Sequence, residues 1–75
     1  MAGPMHEAHV RNRYEMAIAI AAKLQAEGVA PSDAHCTMVA RSAEFRGPRA
    51  ETMNIVVHIL RTNEAARNLR EREAR

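Results

Sequence analysis

Glycine and proline interrupt this chain at only three places, and the intervals between them limit how it can fold. Gly3-Pro4 stand near the start, Gly28 is followed by Pro31, and Gly47-Pro48 form the clearest break. Glycine commonly closes a helix in the left-handed conformation, and proline is tolerated in the first turn of the next helix. The pattern predicts an all-α domain of three helices, over residues 6–27, 32–45 and 49–72.

The first predicted helix carries apolar side chains at intervals of three and four, which place them on one helical face. Further apolar residues widen this surface, so we expect the helix to be buried on more than one side. Gly28 is expected to close it as the left-handed C′ residue. The predicted face consists of Val10, Tyr14, Ala17, Ala21 and Leu24, and it is widened by Met16, Ile18 and Ile20.

The second and third segments each leave a strand open as an alternative. In the second segment, Met38, Ser42 and Phe45 fall on one helical line, but alternation over residues 36–40 also permits a short strand. Residues 53–60 are rich in β-branched side chains, which favour strands. The length of that segment and the proline before it favour a helix.

The core that such a chain can build is thin. Beyond Met1 and Met5, the 75 residues include 17 large apolar side chains. Domains of this size bury only about 60% of their unfolded surface, and a second subunit often completes the core. We therefore expect a compact three-helix domain, similar to a helix-turn-helix, that forms a homodimer. The predicted interface is the apolar face of the third helix: Met53, Val56, Val57 and Leu60.

The chain divides into three parts, and its charge is distributed unevenly over them. Residues 1–5 resemble a leader or cloning scar, residues 6–66 form the predicted domain, and residues 67–75 form an exposed, Arg/Glu-rich helical tail. The net charge is +2, with positive excess at residues 41–49 and 61–75. Ten of the 11 basic residues are arginines, whose planar guanidinium suits phosphates and carboxylates. A GC-rich genome explains most of that preference, so the positions of the arginines carry more information than their number.

Several classes of protein are excluded or disfavoured. A single cysteine excludes a disulfide framework and a cysteine-based zinc module. No apolar run approaches the ~18 residues that span a membrane, and no signal peptide is visible. We expect a cytoplasmic protein without a cofactor and without contact to a membrane.

Histidine and cysteine offer only weak candidates for chemistry. His6, His9, His35 and Cys36 could together bind a metal, but their spacing matches no known metal module. Cys36 could pair with a histidine as a nucleophile, although a small core hydrophobe is the simpler interpretation. His58 lies in the most apolar segment, where a buried structural role is expected. The chain is therefore predicted not to be an enzyme and to bind no metal.

The break between the second and third helices favours a nucleic-acid site. Ala43 and Gly47 stand where a helix-turn-helix has its small residue and its turn glycine. Arg41, Arg46 and Arg49 flank a helix start, whose free amides attract phosphate. We predict that these arginines hold DNA phosphates, and that Arg49, Thr52 or Asn54 reads bases. The prediction is a small DNA-binding transcriptional regulator.

A protein-binding adaptor or inhibitor, of the kind that phages and plasmids direct at a host complex, is the alternative. Its arginines would then bind an acidic protein surface.

Two short resemblances also point toward transcription. Residues 22–28 with Pro31, Arg46-Gly47 and Thr52 resemble the small helical DNA-binding domain of plasmid KfrA-type proteins, although the tryptophan typical of that family is absent. Residues 12–15 with 21–23 resemble the opening helix of the RNA polymerase omega subunit. Both resemblances imply a helical protein near DNA or its polymerase.

Overall fold

The computed structural model contains three helices, and it describes the backbone of residues 4–74 and the side chains of residues 11–74. Helix α1 spans Pro4–Ala26, α2 spans Pro31–Ala40 and α3 spans Ala50–Glu73. The all-helical prediction is confirmed, and the strand alternatives for residues 36–40 and 53–60 are wrong. Residues 1–3 of the predicted leader lie outside the described part. No helix in that part is long and apolar enough to cross a membrane.

The largest error of the sequence prediction is the end of α2. This helix was expected to reach Phe45, but it ends at Ala40, and residues 41–46 form turns instead. The turns bring Phe45 back against the core, where it is 6% exposed. They also place Arg41 and Glu44 beside the end of α1, where both form ion pairs.

Helices α1 and α3 pack side by side and run in the same direction. At one end, Asn12 and Met16 line the same groove as Thr52. At the other end, the Asn63 side-chain amide donates a 3.0 Å hydrogen bond to Gln25 Oε1. Helix α2 packs mainly against α3 and returns the chain to the start of that helix.

The core lies where the three helices meet. Leu24, Met38 and Val56 are its largest fully buried side chains, one from each helix. Burying a side chain of this size contributes roughly 1.5–3 kcal/mol, so these three residues hold the helices together. Six smaller or less enclosed apolar residues complete the core: Ala17, Ile20, Ala21, Ala34, Phe45 and Leu60.

The C-terminal part of α3 extends beyond this core. Arg67 still lines a groove with the residues that follow α1, whereas all side chains of residues 68–74 are exposed. We call residues 68–74 the overhang; it contributes to a longest dimension of 50 Å. The overhang lies within the residues 67–75 that were predicted as a tail.

Candidate nucleic-acid interface

The arginines predicted to bind phosphate differ in how far they are engaged by the protein itself. Arg41 binds two carboxylates. Its Nη1 and Nη2 lie 2.6 and 3.0 Å from the two oxygens of Glu27, and its Nε lies 2.8 Å from Glu44 Oε2. Lys23 Nζ lies 2.8 Å from the other Glu44 oxygen, Oε1. Four charges therefore neutralise one another, and Arg41 is occupied within the fold.

These contacts also shift the pKa values of the cluster. The hydrogen bonds from Arg41, and then from Lys23, lower the pKa of Glu44 to about 2. The hydrogen bond from Arg41 likewise lowers the pKa of Glu27, and the two carboxylates raise the pKa of Arg41. Arg41 and Lys23 also lie over the Phe45 ring, at 5.1 and 5.5 Å from its centroid. The cluster ties the end of α1 to the segment after α2.

Arg46 and Arg49 remain exposed, and the fold brings Arg13 of α1 beside them. All three line a groove of about 490 Å³ between α1 and the start of α3, together with Asn12 and Thr52. Among the side chains of residues 11–74, none lies in an ion pair with these three arginines. Arg13 was not among the predicted site residues, because it lies 33 positions before Arg46 in the sequence. Its position three residues before the apolar Met16 and four before Ala17 was the available signal.

The two predicted base-reading positions on α3 lie on opposite sides of the helix. Thr52 is 4% exposed and packs toward α1, so its side chain cannot reach a DNA base. Asn54 is exposed and points away from the core. Arg49 is the N-cap residue of α3, and its side chain makes no capping hydrogen bond.

A mostly polar stripe of residues runs along α3 from Asn54. Residues at alternating intervals of four and three lie on one side of a helix, and here they face away from the buried Thr52, Val56 and Leu60. All members of the stripe are exposed and none is acidic, although Glu51, three residues before Asn54, is exposed on the same side of the first turn. We call this stripe the polar face: Asn54, His58, Arg61, Ala65, Asn68 and Arg72.

His58 belongs to this polar face, which corrects the expectation that it is buried. It is exposed because it lies two residues from both Val56 and Leu60, on the other side of the helix. Cys36 is also exposed, so its interpretation as a core hydrophobe is wrong.

The candidate metal ligands do not assemble among the residues whose side chains are described. His35 and Cys36 lie exposed on α2, and no group of three histidine, cysteine or acidic side chains within residues 11–74 is placed to hold a metal. His6 and His9 lie outside the described side chains.

The predicted dimer residues are divided between the core and the surface. Val56 and Leu60 are 0% and 4% exposed within one chain, so they are already covered by α1 and α2. Met53 and Val57 are partly buried against the same core. Exposed apolar residues instead lie on another side of the molecule, where Tyr14 and Ile18 are 53% and 57% exposed. Both residues were expected to be buried.

These exposed residues belong to an apolar flank formed by both long helices. Ile18 and Ile59 line the same groove between α1 and α3. On α3 the flank continues at intervals of four and three onto the overhang, where Leu69 is 52% exposed. The apolar flank consists of Tyr14 and Ile18 of α1 with Ile55, Ile59, Thr62, Ala66 and Leu69 of α3.

Comparison with family models, with curated proteins and with solved structures gives no match. The resemblances to the KfrA-type domain and to the omega subunit therefore gain no support from a family model.

Proposed function

We propose that this protein is a small DNA-binding transcriptional regulator that contacts duplex DNA through the polar face of α3. The observation that carries the proposal is that this face offers amide, imidazole and guanidinium donors from Asn54 onward, with its one carboxylate, Glu51, confined to the first turn of α3. Asparagine pairs well with adenine and arginine with guanine in the major groove, which is wide enough for one α-helix. Asn54, His58 and Arg61 cover about two turns, the length that a helix can present to base edges.

The surroundings of this face supply contacts to the DNA backbone. Arg49 lies at the start of α3, and Arg72 lies on the overhang at its other end. Arginines at both ends of a helix in the major groove can contact phosphates on either side of it. The connection between α2 and α3 spans residues 41–49, longer than a helix-turn-helix turn, and Ala43 lies exposed outside α2. DNA contact is therefore assigned to the polar face of α3 and not to a helix-turn-helix motif.

Binding of labelled duplex DNA over a range of salt concentrations tests this function. Arg61→Gln should weaken binding about tenfold, because a base or phosphate contact contributes roughly 1–3 kcal/mol. Arg70→Gln is the matched control, since Arg70 lies exposed on the same helix but outside the polar face. Equal effects of the two changes would show that only net charge matters. No salt-dependent binding by the wild type would refute DNA binding altogether.

We propose further that the functional form is a homodimer joined by the apolar flank. The flank follows the spacing of a coiled coil from Ile55 to Leu69, with large residues toward its start and smaller Thr62 and Ala66 toward its end. Two copies in antiparallel orientation would set the large residues of each against the small residues of the other. A second copy fits this pattern better than an acidic partner, because the flank itself carries no charge.

Light scattering at micromolar concentration tests the dimer. The wild type should have twice the 8.4 kDa mass of one chain. Ile18→Asp should produce monomers, because a charge would be buried without a partner. Val39→Asp is the control, since Val39 is 56% exposed on α2, away from the flank. A monomeric wild type would refute the dimer. If the protein instead co-purifies with another protein after nuclease treatment, the adaptor alternative is favoured.

A further inference from the structure

The groove between α1 and the start of α3 places positively charged side chains beside backbone amides that have no hydrogen-bond acceptor. Arg13, Arg46 and Arg49 line it, and no acidic residue does. The first amides of α3, those of Ala50 and the two following residues, have no acceptor within the helix. Because the N-cap side chain of Arg49 forms no capping hydrogen bond, it leaves these amides available. The helix dipole adds further attraction for an anion at this position.

Thr52 provides an independent polar group in the same groove. Its side chain lines the groove although the residue is only 4% exposed. Within the described residues, its hydroxyl forms no hydrogen bond with a side chain or with the backbone. Thr52 lines the groove and no fully enclosed side-chain polar atom of the described residues lacks a partner, so we infer that its hydroxyl faces the groove. A buried hydroxyl in this position can donate to a bound ligand.

We propose that this groove is a binding site for one phosphate group. Guanidinium groups match two phosphate oxygens at once, and free amides at a helix start bind the same oxygens. The site deepens the proposed function, because a DNA phosphodiester is its expected natural occupant, and the groove would then fix the position of α3 on the duplex. The chemistry is the same for inorganic phosphate or a phosphorylated small molecule, which can therefore serve as probes.

The direct test is titration of the ¹⁵N-labelled protein with inorganic phosphate at constant ionic strength. The amide signals of Ala50, Glu51 and Thr52 should shift and saturate. The shifts should disappear in Arg13→Gln/Arg49→Gln and persist in Arg67→Gln/Arg70→Gln, which removes the same charge elsewhere on the surface. Shifts that are absent in the wild type, or equal in the two variants, would overturn the phosphate site. The spectra also report whether each variant is folded.

The same variants distinguish this inference from the proposed function. If duplex DNA binds and Arg13→Gln weakens it, a phosphodiester occupies the groove. If inorganic phosphate binds but duplex DNA does not, the phosphate site is supported and the proposed DNA binding is refuted. If DNA binds with wild-type affinity to Arg13→Gln/Arg49→Gln, the polar face acts alone and a DNA phosphodiester is not the occupant of the groove.

Discussion

The two connections between helices use the same hydrogen-bonding motif but place different residues at its critical position. After α1, the amides of Gly28 and Val29 bind the carbonyls of Gln25 and Leu24 at 3.1 and 3.0 Å. In residues 41–49, the amides of Arg46 and Gly47 bind the carbonyls of Ala43 and Ser42 at 3.3 and 2.8 Å. Both arrangements are Schellman motifs, in which the C′ residue is left-handed.

The residue at that position is glycine in one motif and arginine in the other. Gly28 has φ +78°, a conformation that glycine adopts without strain. Arg46 has φ +63°, although Gly47 stands next to it. A side chain other than glycine costs about 1–2 kcal/mol in the left-handed region. The arginine therefore occupies a place where the fold alone would favour glycine, and its side chain lines the phosphate groove.

The largest effect is expected where glycine is required. Gly28→Ala should destabilise the fold by about 1 kcal/mol or more, because φ +78° strains any residue with a Cβ. A new Cβ would meet no atom within 4 Å, so the loss would come from the backbone alone. In a domain this small, thermal melting should show a decrease in Tm of roughly 4–8 °C.

Gly28→Asn is the matched control, because asparagine tolerates the left-handed conformation better than alanine does. It should lose less stability than Gly28→Ala. Equal losses would indicate that the C′ conformation is not the cause.

The prediction of Gly28 as a C′ residue shows what the sequence could determine. Local signals located Gly28, the prolines that begin α2 and precede α3, and the bounds of three helices except for the end of α2. Local signals could not predict the partners or the burial of a side chain where these depend on residues far away in the sequence. Arg41 was assigned to phosphate because its partner Glu27 lies 14 residues away. Val56 and Leu60 were assigned to a dimer because only the packed fold shows that α1 and α2 cover them.

The candidate site was predictable to a similar, partial extent. Arg46 and Arg49 follow from the local charge pattern, and both remain exposed beside the helix start. The side of α3 that faces outward could not be fixed, because apolar residues occur over most of its first half. This ambiguity placed Thr52 among the base-reading residues and His58 in the core.

A smaller effect, opposite in sign, is expected at the second motif. Arg46→Gly should relieve the strain of the left-handed backbone. Because glycine also raises the entropy of the unfolded chain, the net stabilisation should be about 0.5–1 kcal/mol. Thermal melting should therefore show a higher Tm. The same change removes one guanidinium from the phosphate groove, so affinity for DNA or inorganic phosphate should fall.

Arg46→Gln separates these two consequences. Glutamine retains the strained backbone but loses the charge, so binding should weaken while Tm stays within about a degree of the wild type. If Arg46→Gly leaves Tm unchanged as well, the two motifs do not differ in strain. If both variants bind normally, the arginine has no role in the groove.

The smallest effect concerns the ion pairs that connect the two motifs. Glu44 has a pKa of about 2, below its ordinary value of 4.5, because Arg41 and Lys23 bind its ionised form. A depressed folded-state pKa contributes stability that is present above pH 4.5 and is lost as the pH falls toward 2. Glu27 acts in the same direction. Glu44→Gln should therefore make Tm less sensitive to pH between 4.5 and 2, while Tm at pH 7 decreases only slightly, because exposed ion pairs stabilise little.

Glu71→Gln is the control for this pH dependence, because it removes one carboxylate from the overhang, away from both motifs. Its Tm should follow the wild-type pH profile, whereas the profile of Glu44→Gln should be flatter. High salt should reduce the difference between wild type and Glu44→Gln at pH 7, since salt screens exposed charges. Identical profiles for all three proteins would mean that core packing, and not the ion pairs, holds the two motifs together. The packing of Phe45 and Leu24 would then be sufficient to keep Arg46 beside the groove.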